Sequence, residues 1–380
     1  MGDYVRQMPH HGSADLARRP SAFARFHIDL PLLVLLLILT GYGLFVLYSA
    51  SGQSMGAVIR QGRYFAVAYV IMIVGAQFSL QRYTRWAPWL YLGGVAMLVG
   101  VMFFGVGAKG AQRWLQIGGF RFQPSEVMKL VVPMAVAWYL ADRPLSPRFR
   151  DILVALVLVA IPFLLILQQP DLGTSLLIAS SGLFVLFVAG IGWRYILGAV
   201  VLALASAWPA WMFVLKDYQK QRILTLLNPE SDKLGAGWNI IQSKTAIGSG
   251  GWTGKGWLEG TQSQLDFLPE SHTDFIIAVL AEEHGLRGVA VLLAIYVLIL
   301  LRGFWIGVNA QTSFGRMMAG SLTLTFFVYI FVNMGMVAGL LPVVGVPLPL
   351  VSAGGTSVVT LMAGFGILMA VSTERKLVIR

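Results

Sequence analysis

The stretch LPLLVLLLILTGYGLFVLYSA, Leu30 to Ala50, holds no Asp, Glu, Lys, Arg or His. It matches the roughly 20 apolar residues that a helix needs to cross a bilayer. No small-residue cleavage pattern follows it, so it is expected to stay as a first membrane anchor. Residues 1–25 ahead of it are hydrophilic and carry Arg6, Arg18, Arg19 and Arg25, longer and more polar than the leading region of a cleaved signal. A cytoplasmic tail over 1–29 is expected.

The rest of the chain reads the same way. Of 380 residues, 57% are hydrophobic and 12% charged, and the mean hydropathy is +0.73, too apolar for a water-soluble core to hide. Cysteine is absent, which excludes disulfides, a thiolate nucleophile and zinc-thiolate sites. A net charge of +11 would suit nucleic acid in a soluble protein. In a membrane chain it records topology and contact with anionic headgroups, and no nucleic-acid partner is expected.

Apolar windows place spans near 30–50, 64–80, 88–108, 126–142, 152–169, 173–190, 194–215, 285–302, 318–341 and 355–372. The fold class is therefore an all-α polytopic membrane protein of about ten transmembrane helices. The boundary between the sixth and seventh spans rests on the short turn GIGW, 190–193. An even count puts both termini on one side. Arg82, Arg85, Arg143, Arg148, Arg150, Arg194, Arg302, Arg316, Arg375, Lys376 and Arg380 fall in one set of loops and the C-terminal tail, against Arg60, Arg63, Lys109, Arg113 and Arg121 in the short loops of the other set. The first set and both termini are thus expected in the cytoplasm. The domain limits are 30–372 for the membrane domain and 373–380 for a cytoplasmic tail, with a large extracytoplasmic loop, 216–284, between spans seven and eight.

Function should then lie at the outer face, where the polar, Gly- and Pro-marked segments collect. These are KGAQRWLQIGGFRFQPSE (109–126), QQPDLGT (168–174), the long loop, and LLPVVGVPLPLVSAGGTS (340–357). Pro342, Pro347 and Pro349 forbid a continuous helix, so backbone here must be shielded from lipid by protein or water. No internal repeat is visible, which gives a repeat-built transporter no support.

The ionisable residues of these segments each admit two readings. In QPSEVMK, Ser125 suits an N-cap, and Glu126 and Lys129 share a helix face. They form a structural ion pair, or Lys129 offers a cation to a phosphate while Glu126 orients it. Trp114, beside Arg113, is an interfacial anchor or stacks on a sugar ring or headgroup. Asp171 after Pro170 is a helix cap, or faces the same compartment as a site residue. YQKQRILTLLNPESD, 218–232, reads as an amphipathic helix on the membrane, with Lys220 and Arg222 near headgroup phosphates. GWNIIQSKTAIGSGGWTGKGW, 237–257, is a flexible loop, or its glycines bring backbone close to an anion beside Lys244 and Lys255.

Asp274, in LPESHTDFIIAVLAEE (268–283), stands alone between a polar loop and an apolar run. An ionised carboxylate entering lipid costs roughly 2.5 to 3.5 kcal/mol. The apolar pattern from there to Leu301 is too long for one untilted span and is interrupted by EEHGLRG, so its first part is expected to form a half-helix under the loop. Asp274 is then a helix cap, or a general base at a groove's rim, a role worth roughly 10² to 10⁴ in rate. No metal-ligand spacing and no GxSxG or SxxK motif occurs in an outer loop.

Together these segments resemble the SEDS family, the shape, elongation, division and sporulation proteins. The likeness runs through nearly the whole chain after residue 25 and is most specific in Asn333, Gly339, Pro342, Gly345, Ser352, Gly354 and Gly355. QRWL, QPSE, QPDLGT, GWNIIQSK and HTDFIIA add separate matches, and Ala353 replaces a commoner Tyr. The wording of HTDFIIAVLAEE and LPVVGVPLPLVS is nearer the elongation branch than the division branch. The resemblance implies a ten-helix peptidoglycan glycosyltransferase of the bacterial inner membrane, active in cell wall biogenesis and cell shape. It would polymerise lipid II into glycan carried on undecaprenyl pyrophosphate, beside a class B penicillin-binding protein and other elongation proteins. By motif, Asp274 matches an essential loop aspartate; Trp114, Glu126, Lys129, Asp171 and Arg222 match functionally important positions. Arg113, Lys244 and Ser352 join them as candidate substrate contacts. No cofactor is certain; Mg2+ or another divalent cation stays open. A lipid II flippase is the alternative, and a scaffold for the cross-linking enzyme a third reading.

Overall fold

The computed structural model describes residues 26–108, 111–117, 120–144, 146–232, 235–264 and 270–374. Tail residues 1–25 and 375–380, Lys109 and the Leu268–Pro269 dipeptide lie outside them. The helices are α1 (Leu30–Ala50), α2 (Met55–Ala76), α3 (Leu80–Phe104), α4 (Pro124–Ala141), α5 (Phe149–Gln168), α6 (Leu172–Val188), α7 (Trp193–Pro209), α8 (Asp217–Leu227), α9 (Ala236–Gly250), the short α10 (Thr261–Gln264), α11 (Ile276–Val308), α12 (Ser313–Val337) and α13 (Thr356–Thr373). Each of the ten expected spans falls on one of them. Among the described residues, eight helices are long and apolar enough to cross a membrane. The remaining two of the ten expected segments correspond to α4, which carries Glu126 and Lys129, and α6, which has 17 residues. The protein is a multi-pass helical membrane protein.

Several boundaries move. α2 and α3 start at Met55 and Leu80, ahead of the expected 64 and 88. Ser54 caps α2 through Ala57 N–H, and Arg60, Arg63, Arg82 and Arg85 are taken into the N-terminal halves of these helices. Long basic side chains can lay their stems on apolar surface and keep their heads in water, so they need not end a helix. Ser125 is not the N-cap of α4: Gln123 holds that place and Pro124 is the first helical residue, where its missing N–H costs nothing. α11 contains the expected break, at Gly285, whose φ of 62° and ψ of −160° leave the helical region.

Parts of the outer segments 109–126 and 237–257 are ordered, and the third span, expected to reach 108, ends at Phe104 and passes into a strand. β1 (Val106–Ala108), β2 (Ala111–Ile117) and β3 (Phe120–Phe122) form a small antiparallel sheet. The glycine-rich stretch from Gly237 is largely the helix α9, not a flexible loop. Its Ile240, Ser243 and Ala246 are buried, and Ser243 Oγ donates to Val337 O at 2.8 Å, tying it to the end of α12. α7 is the opposite case, since none of its residues is buried.

At the end of the bundle where α1 begins, Asp29 joins three helices. Its carboxylate accepts from Arg302 Nη2 at 2.6 Å, Arg302 Nε at 3.0 Å and Ser372 Oγ at 2.5 Å, and caps α1 through Leu32 N–H at 3.1 Å. Burial opposes ionisation of Asp29, yet these donors together hold its carboxyl below the usual carboxylate value. A depressed folded value gives stability that is complete above the unfolded value, about 3.9, and is lost as pH falls through the folded one. Asp29→Asn should cost about 3 kcal/mol, the cost of breaking a buried pair. In thermal melts, the gap between wild type and variant should be full at pH 6 and shrink below about pH 4.

Candidate active site

Asp274 lies in the turn 270–275 that leads into α11. It is half-buried, and Phe275 rather than Asp274 is the N-cap residue, so Asp274 stands one place ahead of the position a capping role requires. Three consecutive carbonyls of the turn are anchored. His272 O accepts from Ala353 N–H at 2.9 Å, Thr273 O from Ser352 Oγ at 2.5 Å, and Asp274 O from Asn333 Nδ2 at 2.8 Å. Asn333 also donates to Val346 O at 2.8 Å, and Ser352 Oγ accepts Leu348 N–H at 2.9 Å. On the other side, Ser271 Oγ donates to Ala50 O at 3.0 Å.

These bonds revise the role expected of Ser352. It is 2% exposed and its hydroxyl is already donor and acceptor within the protein, so it sits behind the site and positions the turn. Asn333, fully buried in α12, does the same and was not among the expected site residues. Its signal was an amide inside an otherwise apolar helix, followed by the proline-broken segment it holds.

That broken segment, 338–355, is the wall the candidate residues share. A Cβ built on Gly345, whose φ is +73°, would lie 3.6 Å from Asp274 Oδ2, and one built on Gly173 in α6 would lie 2.9 Å from Val344 O. So the Asp274 carboxylate and the start of α6 flank the same few residues. Asp171 caps α6 through Thr174 N–H at 3.2 Å, which bears out the capping reading, and it also faces Arg113 Nη1 at 3.4 Å. Arg113 donates to Pro170 O at 2.5 Å as well. The strand bearing Arg113 and half-buried Trp114 is thereby pinned to the turn between α5 and α6.

Glu126 and Lys129 are paired at 2.7 Å and both are buried. Lys129 Nζ lies 5.2 Å from the centre of the Tyr329 ring, a cation–π contact. The pair lines a cavity of about 40 Å³ between α4, α11, α12 and α13, with Thr325, Phe326 and Thr360. Arg222 is half-buried on α8 and Lys244 exposed on α9, and neither is in an ion pair among the described residues. Arg222 stacks loosely on Tyr218 at 5.9 Å. The stem of Lys244 lies against Gly339, where a Cβ would meet its Cε at 2.2 Å. Among the described residues no group of three or more Asp, Glu or His converges in a way that could hold a metal.

The fold is that of a multi-pass membrane protein whose apolar helices hold a half-buried carboxylate, Asp274, beside two breaks in its helical segments. A family model described as a cell cycle protein, FtsW/RodA/SpoVE, matches residues 30–377. The chain belongs to that family. It is 54% identical over 363 residues to the peptidoglycan glycosyltransferase MrdB of Escherichia coli K12, covering 96% of this chain and 98% of the relative. It is 39% identical over 360 residues to a probable peptidoglycan glycosyltransferase FtsW of Geobacter metallireducens, covering 92% and 95%. Among solved structures, a chain of a peptidoglycan synthase complex that coordinates polymerisation and crosslinking matches with TM-score 0.81 and 30% identity, over 92% of this chain and 98% of that one. The Thermus thermophilus rod shape determining protein RodA matches with TM-score 0.69 and 28% identity, over 92% and 97%.

The anchoring of the Asp274 turn can be tested by removing its amide. Asn333→Ala leaves Asp274 O and Val346 O without that donor, and should cost about 1 to 3 kcal/mol, the range for unsatisfied buried groups. Chemical unfolding in detergent measures the loss, and amide exchange should rise across the Asp274 turn before it rises in α1 or α13.

Proposed function

We propose that this chain is a peptidoglycan glycosyltransferase that polymerises lipid II at the outer face of the bacterial inner membrane during elongation. The observation that carries the reading is the carboxylate of Asp274, presented by a turn in which its own carbonyl and the two before it are tied to Asn333, Ser352 and Ala353. A general base needs that fixity, because proton transfer demands hydrogen-bond reach to one hydroxyl. The growing glycan on undecaprenyl pyrophosphate is the donor and lipid II the acceptor. Asp274 takes the proton of the acceptor 4-hydroxyl as that oxygen attacks the anomeric carbon, with inversion, and the pyrophosphate leaves with the bonding electrons.

Cations near the leaving group offset its charge, a task that pre-oriented groups perform well away from bulk water. Lys129 and Arg113 already face carboxylates, so Arg222 and Lys244 are the better candidates for the pyrophosphate, and Lys129 the better for the wall of the cavity. Ten spans, both termini in the cytoplasm and the long loop in the periplasm complete the reading. The relative in a complex that coordinates polymerisation with crosslinking supports a cross-linking penicillin-binding protein as partner.

One observation favours the flippase reading, the ion pair and cavity inside the bundle. Reconstitution separates the two. With its cross-linking partner and lipid II, Asp274→Ala should bind substrate with wild-type affinity and lose glycan synthesis by at least about 10²-fold. Retained polymerisation by that variant removes Asp274 from the base role. Movement of lipid II across proteoliposomes with no polymer from either protein would favour transport.

A further inference from the structure

Eight residues along from Asp274, two adjacent carboxylates are buried, Glu282 at 0% and Glu283 at 2% exposure. They end the short first piece of α11, just before the break at Gly285. A helix break leaves carbonyls of the first piece and N–H groups of the second without intrahelical partners. Here the long loop answers both. Lys255 and Gly256 N–H donate to Glu282 O and Glu283 O, each at 3.0 Å, while Leu286 and Arg287 N–H donate to Gly251 O and Trp252 O at 2.9 and 3.3 Å. The approach is so close that a Cβ on Gly254 would lie 2.0 Å from Glu283 O.

The two side chains add anchors of their own. Glu282 accepts from Lys255 Nζ at 2.7 Å, Thr261 Oγ1 at 3.1 Å and Gln262 N–H at 3.0 Å, all from the loop. Glu283 accepts from Ser49 Oγ on the last turn of α1. The next residue of α1, Ala50, receives the hydroxyl of Ser271. The segment 271–283 is therefore fastened to the end of α1 near both of its ends, and Asp274 lies between the two fastenings.

Buried carboxylates contribute little net stability compared with apolar residues of similar size, so folding alone does not call for two of them here. We propose that Glu282 and Glu283 are positioning residues for Asp274. Together they clamp the short helical piece behind the aspartate between α1 and the loop, so that the carboxylate meets the acceptor hydroxyl in one place. The inference rests on the reading of Asp274 as the base. It assigns no contact between either glutamate and substrate.

The test uses the full chain with its cross-linking partner and lipid II. Glu282→Gln keeps the shape and weakens the grip on Lys255. It should lower kcat by roughly tenfold to 10²-fold, the scale of a small misplacement of reacting groups, with KM within about twofold and an unchanged pH profile. Should that variant not purify as a folded protein, Lys255→Met, altered on the loop side only, carries the same expectation. The chain has no cysteine, so K255C/E282C can replace the clamp with a covalent one where the two backbones already meet. Oxidation should restore most of the kcat that the reduced form lacks. Wild-type kcat in Glu282→Gln, a rise in KM alone, or no recovery on oxidation overturns the proposal. If Glu282→Gln is fully active and Asp274→Ala is dead, the clamp falls and the base stands; if Asp274→Ala is active, both fall.

Discussion

Lipid offers no hydrogen bonds to a backbone, so wherever a helix stops inside a membrane bundle its polar groups must be met by other parts of the protein. Two such stops organise this molecule. At Gly285 the loop from Gly251 to Gly256 supplies donors and acceptors to both sides of the break. Over 338–355, three prolines interrupt the chain between α12 and α13, and Asn333 and Ser352 hold the segment by side-chain bonds to Val346 O and Leu348 N–H. The Asp274 turn lies between these stops; two of its carbonyls are bonded to the second and a third to Asn333, which also holds that segment. Its rigidity is a by-product of keeping irregular backbone satisfied, and the proposed role of Asp274 as a base depends on it.

The same economy governs the charges. Asp29 with Arg302, Glu126 with Lys129, Asp171 with Arg113 and Glu282 with Lys255 all pair within 3.4 Å. Each carboxylate is 10% exposed or less, while only Lys129 among their cations is comparably buried. Buried ions persist when paired and are costly when not. Cations engaged in this way are poorly placed to exchange a carboxylate for another anion. Arg222 and Lys244, on the helices of the long loop, are under no such constraint.

Much of this was legible in the chain. Apolar windows mark the helices because lipid selects on length and polarity alone. The prolines at 342, 347 and 349 mark one break, and EEHGLRG marks the other. Asp171 reads correctly as a cap because capping is local. The parts that could not be read depend on distant partners. The three-residue strands β1 and β3 have too little periodicity to register, and exist through pairing with β2. α9 carries glycines that argue against a helix, and its order comes from burial of Ile240, Ser243 and Ala246 against α11 and α12. Ser352 is a candidate contact by family resemblance, in a glycine-rich stretch between two spans; only its neighbours reveal that both functions of its hydroxyl are already used.

Composition and pattern by themselves determined that the chain is a helical membrane protein, where its helices run, and that Asp274 is an acid set at the edge of an apolar segment. These follow from local chemistry, the cost of putting charge and open backbone into hydrocarbon. Tertiary structure decided which residues surround that acid. Hydrogen bonds from Asn333, Ser352 and Ala353, and the clamp through Glu282 and Glu283, join positions tens to hundreds of residues apart. Such contacts leave no periodic trace in sequence, because they are specified by how the helices pack and not by any one helix.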